Sequence, residues 1–468
     1  MKVLIIGAGK LGSKIASAMH LENIDVTLMD NNPKIIERIN EHLDVLTIVA
    51  NGLDVNALKD INIETFDYLL AATTSDATNA VICTFAKKLG CKKTISRIRN
   101  PEYMDQLDFI KAELGIDKIL NPDLAMAKTI SKYLLKNLYF FSGEFASGKV
   151  KMIDFKIGHN HDFVGKRIME LNGFKKLLIT AISREGSLLI PDGSTELKDN
   201  DIIHVIGRES DIFALAKKFK LQGNEKKIKN AMILGGGNVG YYLAKELAKS
   251  KVAVTLIEQN RQKTQKLAEQ LDHVLIIDGD GTDITLLEEE NIGQMEAFIS
   301  VTGYDEQNLL MALMAKQYGV EKTIAKVSRQ NYTKIIDKLD LDVALNPVNI
   351  TASNILKYIR GGKVASISLL LGGEGEVTEI IVPPGMPYIG KPLAEIKFPK
   401  KIIIGAIIHD NKVIIPDGSS IIQENDRIVV FSLAEDFKQL KALFSKGKGG
   451  FLDELRNRGK NTGIYTDH

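Results

Sequence analysis

The chain has 468 residues, too many for one ordinary hydrophobic core, so two to four domains are predicted. Its net charge of +2 argues against a nucleic-acid-binding protein or a polybasic membrane anchor. The longest apolar runs, residues 2–8 and 402–408, are far shorter than the ~20 residues that a membrane-spanning helix needs. The start lacks a secretory signal pattern, and two cysteines, Cys83 and Cys91, favour a reducing compartment, so we expect a soluble cytoplasmic protein.

From the N-terminus, short apolar runs alternate with helical patterns. Val3–Ile6 and Val26–Met29 are strand-like, and helices are predicted through Lys14–His20 and Lys34–Asn40. This alternation is typical of βαβ units around a parallel sheet.

Residues after about position 139 follow a different pattern. The strand-like runs 176–183 and 202–207 are separated by turn sequences at 184–186 and 191–193. This spacing predicts a small, strand-rich α+β unit.

Both kinds of segment occur twice. The run Val3–Gly12 recurs as Ala231–Gly240, and the run Leu189–Ser194 recurs as Ile414–Ser419. We therefore predict an α/β fold with two Rossmann-like doubly wound parallel-sheet domains, each followed by a small α+β domain. The predicted domains are 1–138, 139–223, 228–362 and 363–446, with a linker near 222–227 and a disordered tail at 447–468.

Each Rossmann-like segment opens with a G-x-G-x-x-G motif after an apolar strand: Gly7, Gly9 and Gly12, then Gly235, Gly237 and Gly240. Such glycines allow a tight turn, close approach of a pyrophosphate, and close packing of helix on strand. An acid follows at the end of the next strand in each copy, Asp30 and Glu258. A ribose-binding carboxylate there favours NAD(H) or an adenine nucleotide over NADP. The alternative interpretation of the motif is a structural turn that binds no ligand.

Other polar residues follow the later strands. Thr73-Thr74 and Thr302-Gly303 end the fourth strand of each copy, where doubly wound folds bind ligands, although helix capping is the alternative and is favoured for Asp76 and Asp305. Arg97 and its counterpart Lys326 are either phosphate ligands or solvated cations. Asp280 ends the third strand of the second copy, but the first copy has Ala50-Asn51 there, so the two sites are expected to differ.

No catalytic set is recognisable in the sequence. An NAD-dependent dehydrogenase needs a proton donor or acceptor near the reacting carbon, and the eight histidines offer no repeated candidate. His159-x-His161 lacks a third metal ligand at a defined spacing, so we expect polar loop residues there and no metal site. Two nucleotide sites without catalytic residues indicate a sensor and not an enzyme, with an NAD-dependent oxidoreductase as the alternative.

With these motifs the sequence resembles the TrkA family of potassium-uptake regulators, which are built from tandem RCK (regulator of conductance of potassium) domains. The resemblance covers residues 1–445 and includes Arg97–Tyr103 and Ile190–Gly193. It implies that NAD(H), and also ATP or ADP, binds the Rossmann-like lobes. The implied first site consists of Gly7, Gly9, Lys10, Leu11, Gly12, Asp30, Thr73, Thr74 and Arg97, and the implied second site of Gly235, Gly237, Asn238, Val239, Gly240, Glu258, Asp280, Thr302 and Lys326.

The resemblance also implies a homo-oligomer, usually a tetramer, lying peripherally on the inner face of the cell membrane beneath a TrkH-type potassium pore. Some relatives bind a cyclic dinucleotide in the small domains. We expect nucleotides to gate the pore by preferring one lobe arrangement over another. The helical segments Ile130–Leu138 and Ile350–Ile359 are then either lobe-to-lobe dimer contacts or internal packing elements. Regulation of another cation channel or an antiporter is a further alternative.

Overall fold

The structure is a computed structural model. It describes residues 1–21, 24–135, 140–158, 162–171, 174, 176–185, 187–218, 228–329, 332, 339, 341–360, 364–370, 375–396, 401–433 and 436. The predicted linker 222–227, His159 and His161, positions 136–138 and the predicted tail 447–468 lie outside the described residues.

The first lobe is a six-stranded parallel sheet with helices between its strands. Its strands are β1 (Lys2–Ile6), β2 (Asp25–Asp30), β3 (Leu46–Val49), β4 (Tyr68–Ala71), β5 (Lys93–Arg97) and β6 (Lys118–Leu120). Its helices are α1 (Lys10–Leu21), α2 (Pro33–Asn40), α3 (Val55–Asp60), α4 (Asp76–Lys88), α5 (Leu107–Glu113) and α6 (Pro122–Leu135). β1 and β4 are buried on both faces, which explains why they are continuous apolar runs.

The second parallel lobe repeats this arrangement, and a small five-stranded antiparallel sheet follows each lobe. The first small domain contains β7 (Phe140–Phe145), β8 (Val150–Lys156), β9 (Leu177–Arg184), β10 (Ser187–Leu189), β11 (Ile202–Arg208) and helix α7 (Glu209–Lys218). The second lobe contains β12 (Asn230–Leu234), α8 (Asn238–Lys249), β13 (Ala253–Glu258), α9 (Arg261–Gln270), β14 (Val274–Asp278), α10 (Ile284–Glu289), β15 (Ala297–Ser300), α11 (Asp305–Gln317), β16 (Lys322–Lys326), β17 (Val343–Leu345) and α12 (Pro347–Arg360). The second small domain contains β18 (Val364–Leu370), β19 (Gly375–Ile381), β20 (Ile402–His409), β21 (Lys412–Ile414) and β22 (Arg427–Leu433).

The strand order confirms the predicted fold class. The two parallel sheets are ordered β3-β2-β1-β4-β5-β6 and β14-β13-β12-β15-β16-β17, which is the doubly wound order. The two antiparallel sheets are ordered β10-β9-β11-β8-β7 and β18-β19-β22-β20-β21. Each parallel sheet changes direction of winding between its first and fourth strands, and ligand crevices form at that point in this fold.

Two helices cross from one lobe to the other. Met126, Ile130 and Leu134 of α6 are fully buried in one core with strands β12 and β13 of the second lobe. Ile355 and Leu356 of α12 are fully buried in one core with strands β1 and β2 of the first lobe. The helical segments left open by the sequence are therefore lobe-to-lobe contacts within one chain.

The small domains also contact each other. Their apolar residues share one buried cluster that includes Phe145 and Phe431. The backbone N–H of Ala146 donates to Glu379 Oε2 (3.0 Å), and Arg208 Nε donates to the carbonyl of Val413 (3.0 Å). Within a single chain, the two lobes thus contact each other, and so do the two small domains.

Among the described residues, no helix is both long enough and apolar enough to cross a membrane. Cys83 and Cys91 are buried free thiols, and burial raises the pKa of Cys83 to about 12 and that of Cys91 to about 11.

Candidate nucleotide sites

The glycines of the first motif occupy three different environments. Gly7 has φ of +104°, and a Cβ there would lie 2.8 Å from the backbone carbon of Ala72, so the turn between β1 and α1 requires glycine. A Cβ on Gly12 would collide with the carbonyl oxygen of Gly7. A Cβ on Gly9 would meet nothing within 4 Å, so the space above Gly9 is open to a ligand.

The predicted ribose-binding acids contact the glycine loops. Asp30 accepts hydrogen bonds from the backbone N–H groups of Ala8 (2.7 Å) and Asn32 (2.9 Å). In the second lobe, Glu258 accepts from Gly236 (2.9 Å) and Asn260 (2.9 Å). These contacts hold each carboxylate beside its glycine loop, at the end of the second strand.

A cleft of about 670 Å³ opens above the first glycine loop. The predicted residues that line it are Gly7, Gly9, Lys10, Leu11, Asp30, Thr73, Thr74 and Arg97. Gly12 lies beneath the loop, where it permits close packing. The cleft is also lined by Arg99, Asn51 and, from the second lobe, Lys326 and Ser328, whose participation the sequence alone did not reveal.

Lys326 is the residue whose position differs most from expectation. It was expected in the second site, yet it lines the first-lobe cleft because the end of β16 faces the first lobe. Its ammonium group donates to the carbonyl of Val301 (3.3 Å). Burial lowers the pKa of Lys326, while Asp123 and Asp305 act in the opposite direction.

The two threonines contribute to their own turns. Thr73 donates its hydroxyl to Asn79 Oδ1 (2.7 Å), and Thr302 makes the same bond to Asn308 (2.8 Å). Asn79 also donates to the carbonyl of Arg97 (2.9 Å). The threonine turn and the end of β5 are thereby held together at the edge of the cleft.

The capping interpretation of Asp76 and Asp305 is wrong. Ser75 caps α4 by accepting from the N–H of Thr78 (3.2 Å). Asp76 instead accepts from the backbone N–H groups of Arg99 and Asn100, both at 2.8 Å. Asp305 accepts from Arg329 N–H (2.9 Å), so both acids position the loop after the fifth strand of their sheet.

Two arginines supply unpaired donors at the first cleft. Arg97 Nη1 donates to the carbonyl of Thr73 (3.1 Å), while the buried Nε atoms of Arg97 and Arg99 have no hydrogen-bond partner. Buried polar groups are normally hydrogen-bonded, so guanidinium N–H groups left unpaired beside a cleft favour an anionic ligand. The residues present fit the phosphate groups of a nucleotide.

The second glycine loop has the same backbone and different surroundings. Gly235 has φ of +108°, Gly240 packs against Gly235, and a Cβ on Gly237 would meet nothing within 4 Å. Val239 is buried in the core of its lobe. Asn238 donates a hydrogen bond to Asp123 of the first lobe. Asp280 is exposed and accepts from the N–H (2.9 Å) and hydroxyl (2.8 Å) of Thr282, so in this structure it stabilises its own turn.

One Ser-His-Asp set exists in the first small domain. His204 contacts Asp154 Oδ1 through Nδ1 (2.6 Å) and Ser183 Oγ through Nε2 (3.0 Å). Ser183 and His204 lie diagonally across adjacent strands, where Ser183 pairs with Ile202 and His204 with Ala181, and both are only 4% exposed. A nucleophile needs access to its substrate, so this buried set has a structural role. The described residues contain no cluster of metal-ligating side chains.

Comparison with known proteins agrees with this architecture. The model of the TrkA-N domain matches residues 3–122 and 231–347, and that of the TrkA-C domain matches residues 152–220 and 377–445. The Trk system potassium uptake protein TrkA homolog 2 of Methanosarcina mazei is 36% identical, over 95% of this chain and 100% of that protein. A solved structure of the GsuK channel bound to NAD has a TM-score of 0.57 at 18% identity, over 95% of this chain and 78% of that chain. A structure of GsuK bound to ADP has a TM-score of 0.51 at 12% identity, over 77% of this chain and 69% of that chain.

The fold and the two glycine loops thus define a protein of paired RCK domains, each a Rossmann-like lobe with its small domain. The chain belongs to the TrkA family of Trk system potassium uptake proteins.

Proposed function

We propose that the chain is the cytoplasmic regulatory subunit of a Trk-type potassium uptake system. It binds NAD(H) or an adenine nucleotide in the first-lobe cleft and transmits ligand binding to a TrkH-type pore subunit in the membrane. It acts as a homo-oligomer, with four chains forming a ring at the inner face of the membrane. The relationship to TrkA proteins supports this role, because their names assign them to potassium uptake.

The observation that carries the proposal is a cleft with walls from both lobes. The glycine loop, Asp30 and Arg97 come from the first lobe, and Lys326 comes from the second. A ligand that contacts both walls has a different affinity for each arrangement of the lobes. A ligand shifts a conformational equilibrium only through such a difference, so the cleft is suited to allosteric control.

The chemistry of the cleft selects the ligand class. Asp30 suits a free ribose diol and repels a 2′-phosphate, which favours NAD(H), ATP or ADP over NADP. The unpaired N–H groups of Arg97 and Arg99 suit phosphate oxygens. GsuK has been solved with NAD and with ADP, which places both ligands in the panel to be tested.

Binding is tested by calorimetry on the full chain with NAD, NADH, ATP, ADP and NADP. Asp30→Asn keeps the shape of the side chain and removes its charge. We expect it to weaken binding by about 10- to 100-fold, the usual effect of losing hydrogen bonds to a charged group. Unchanged affinity in a folded Asp30→Asn variant would remove Asp30 from the site.

Gating is tested by potassium-analogue flux into vesicles that contain the pore subunit. We expect the added chain to make flux depend on nucleotide, and the Asp30→Asn variant to need a higher nucleotide concentration. A potassium-analogue flux that is unchanged when the chain is added, combined with copurification of a different cation channel or antiporter, would support the alternative partner. Consumption of NADH with a keto acid, followed by absorbance, would support the oxidoreductase alternative.

A cyclic dinucleotide belongs in the same panel. The small domains enclose a groove of about 500 Å³ lined by equivalent residues of the two repeats, including Pro191 and Pro416. Binding that survives the combination of Asp30→Asn with Glu258→Gln would assign such a ligand to the small domains.

A further inference from the structure

The beginning of α8 is held by a carboxylate from the other lobe. Asn238, the first residue of α8, donates its amide N–H to Asp123 Oδ2 (3.1 Å). Asp123 is the second residue of α6, the helix that crosses onto the second lobe. A negative charge therefore lies beside a helix N-terminus of the kind that binds phosphate in doubly wound folds.

A second polar contact lies one turn further along α8. Tyr242 donates its hydroxyl to the carbonyl of Arg99 (2.9 Å) and accepts from Asn121 Nδ2 (3.0 Å). Burial raises the pKa of Tyr242 to about 12, so the hydroxyl remains a donor at neutral pH. Together the two contacts attach the second glycine loop to the first lobe.

The corresponding positions in the first lobe have different chemistry. Lys10 occupies the position of Asn238, and Lys14 occupies the position of Tyr242. Val348 corresponds to Asp123, so the wall that α12 contributes to the first cleft is neutral at this point. A phosphate at the first loop meets Lys10 and an aliphatic side chain of α12, and the charge of Asp123, which also lines that cleft, is opposed there by Arg97, Arg99 and Lys326. A phosphate at the second loop would meet an amide and a carboxylate.

We propose that Asp123 makes the two sites unequal. Its carboxylate accepts a hydrogen bond from Asn238 at the second glycine loop and repels nucleotide phosphates there. Each chain therefore binds one phosphate-bearing nucleotide, in the first cleft. This inference rests on the proposed function. It names Asp123 as the residue that determines specificity at the second site. A ligand binds the second loop only when the hydrogen bond between Asp123 and Asn238 is broken.

The test is calorimetry with ATP on the full chain and on Asp123→Val and Asp123→Asn variants. Asp123→Val introduces the residue found at the equivalent position of the second lobe, and Asp123→Asn keeps the shape without the charge. The wild-type chain is expected to bind one ATP. In both variants the second site is expected to gain affinity by about tenfold or more, the effect of removing one unfavourable charge contact.

Control variants assign the gain to one site, since Asp123 also lines the first cleft. The gain must persist when Asp123→Val is combined with Asp30→Asn, which weakens the first site. It must disappear when Asp123→Val is combined with Glu258→Gln, which weakens the second. Thermal unfolding confirms that each variant is folded, and Asp123→Asn provides the measurement if Asp123→Val is not.

Each result decides between the two proposals. Two equivalent sites in the wild-type chain, or a gain that survives Glu258→Gln, overturns the role of Asp123. One site in the wild-type chain that stays one site in both variants overturns it as well, while nucleotide binding in the first cleft stands. A chain that binds no nucleotide in any variant overturns both.

Discussion

At the scale of single residues, the glycines of the first loop have opposite steric demands. Gly12 packs against the carbonyl of Gly7, whereas the space above Gly9 is open. We expect Gly12→Ala to destabilise the first lobe by about 1–3 kcal/mol or more, as overpacking does, and Gly9→Ala to leave stability nearly unchanged. Gly9→Ala should still weaken nucleotide binding, because a methyl group fills the space that a pyrophosphate would enter.

Thermal unfolding and calorimetry on the same two variants separate these effects. Gly237→Ala is the matched control in the second lobe, where the open space recurs. If Gly9→Ala binds nucleotide as tightly as the wild-type chain, the first glycine loop is not the phosphate site.

We expect one histidine to make the stability of the second small domain depend on pH. His409 Nδ1 contacts the buried carboxylate of Asp426 (2.7 Å), and this hydrogen bond raises the pKa of His409 above 6.5; Asp410 raises it further and Lys412 opposes it. A raised pKa means that the stabilisation is complete below pH 6.5 and is lost as pH rises through the folded-state value. Amide hydrogen exchange in β20 and β22, corrected for its intrinsic pH dependence, should therefore accelerate over that interval.

The first small domain provides the matched substitution. Arg184 pairs with Asp201 through two hydrogen bonds (2.8 and 2.7 Å) at the equivalent position. His409→Arg replaces a titrating partner by a permanently charged one, so its exchange should not change over the same interval. An identical pH profile in the variant would exclude His409 as the source.

At the scale of elements, the crossing helices make each lobe depend on the other. Ile355 of α12 is fully buried with the strands of the first lobe, although it lies in the second lobe's part of the sequence. Ile355→Ala should destabilise the first lobe by about 2–5 kcal/mol, the usual effect of a large-to-small core substitution. Hydrogen exchange should increase in β1, β2 and β4 before it increases in β12.

Ile130→Ala on α6 is the reciprocal variant, because Ile130 is fully buried against the second lobe. Its exchange pattern should be the reverse, with β12 and β13 affected first. Effects confined to the lobe that precedes each helix in sequence would contradict the crossed packing.

Local patterns predicted most of these elements. The alternation of strand and helix, the glycine turns and the duplication were all visible, because each depends on residues close together in sequence. The sequence pattern left α6 and α12 undecided, since an apolar helix face does not identify which sheet covers it. The capping prediction for Asp76 and Asp305 is wrong because the partners of these acids are distant in sequence. Both lie beyond the next strand, at the backbone N–H groups of Arg99 and Arg329.

At the scale of the whole molecule, the first cleft is a property of both lobes. Lys326 aligns with Arg97 and was assigned to the second site, yet it lines the first cleft. Aligning the two repeats shows which position of its own strand a residue occupies. It does not show which lobe the side chain faces. The first cleft therefore combines residues of both lobes in a way that only the packing of the lobes reveals.

We expect Lys326 to make the proposed nucleotide affinity depend on pH. Burial lowers the pKa of Lys326 from the ordinary 10.5, and the nearby charge of Lys10 lowers it further. Asp123 and Asp305 raise this pKa and so oppose the effect of burial. A bound phosphate favours the protonated amine, so affinity should fall as pH rises through the lowered pKa, by at most about tenfold per pH unit for one linked proton. Calorimetry in two buffers with different ionisation enthalpies should detect proton uptake on binding over the same range.

The stability of the ligand-free chain should change in the opposite direction. Between the lowered pKa and 10.5, the folded state binds fewer protons than the unfolded state, so the contribution of Lys326 to the free energy of unfolding rises with pH. Lys326→Arg introduces the residue type found at the equivalent position of the first lobe, Arg97. Because arginine keeps its charge over this pH range, the variant should lose this contribution to the pH dependence of both nucleotide affinity and the free energy of unfolding. If Lys326→Arg retains the wild-type affinity profile and proton uptake, another group carries the linkage, and the second lobe does not bind the nucleotide through this lysine.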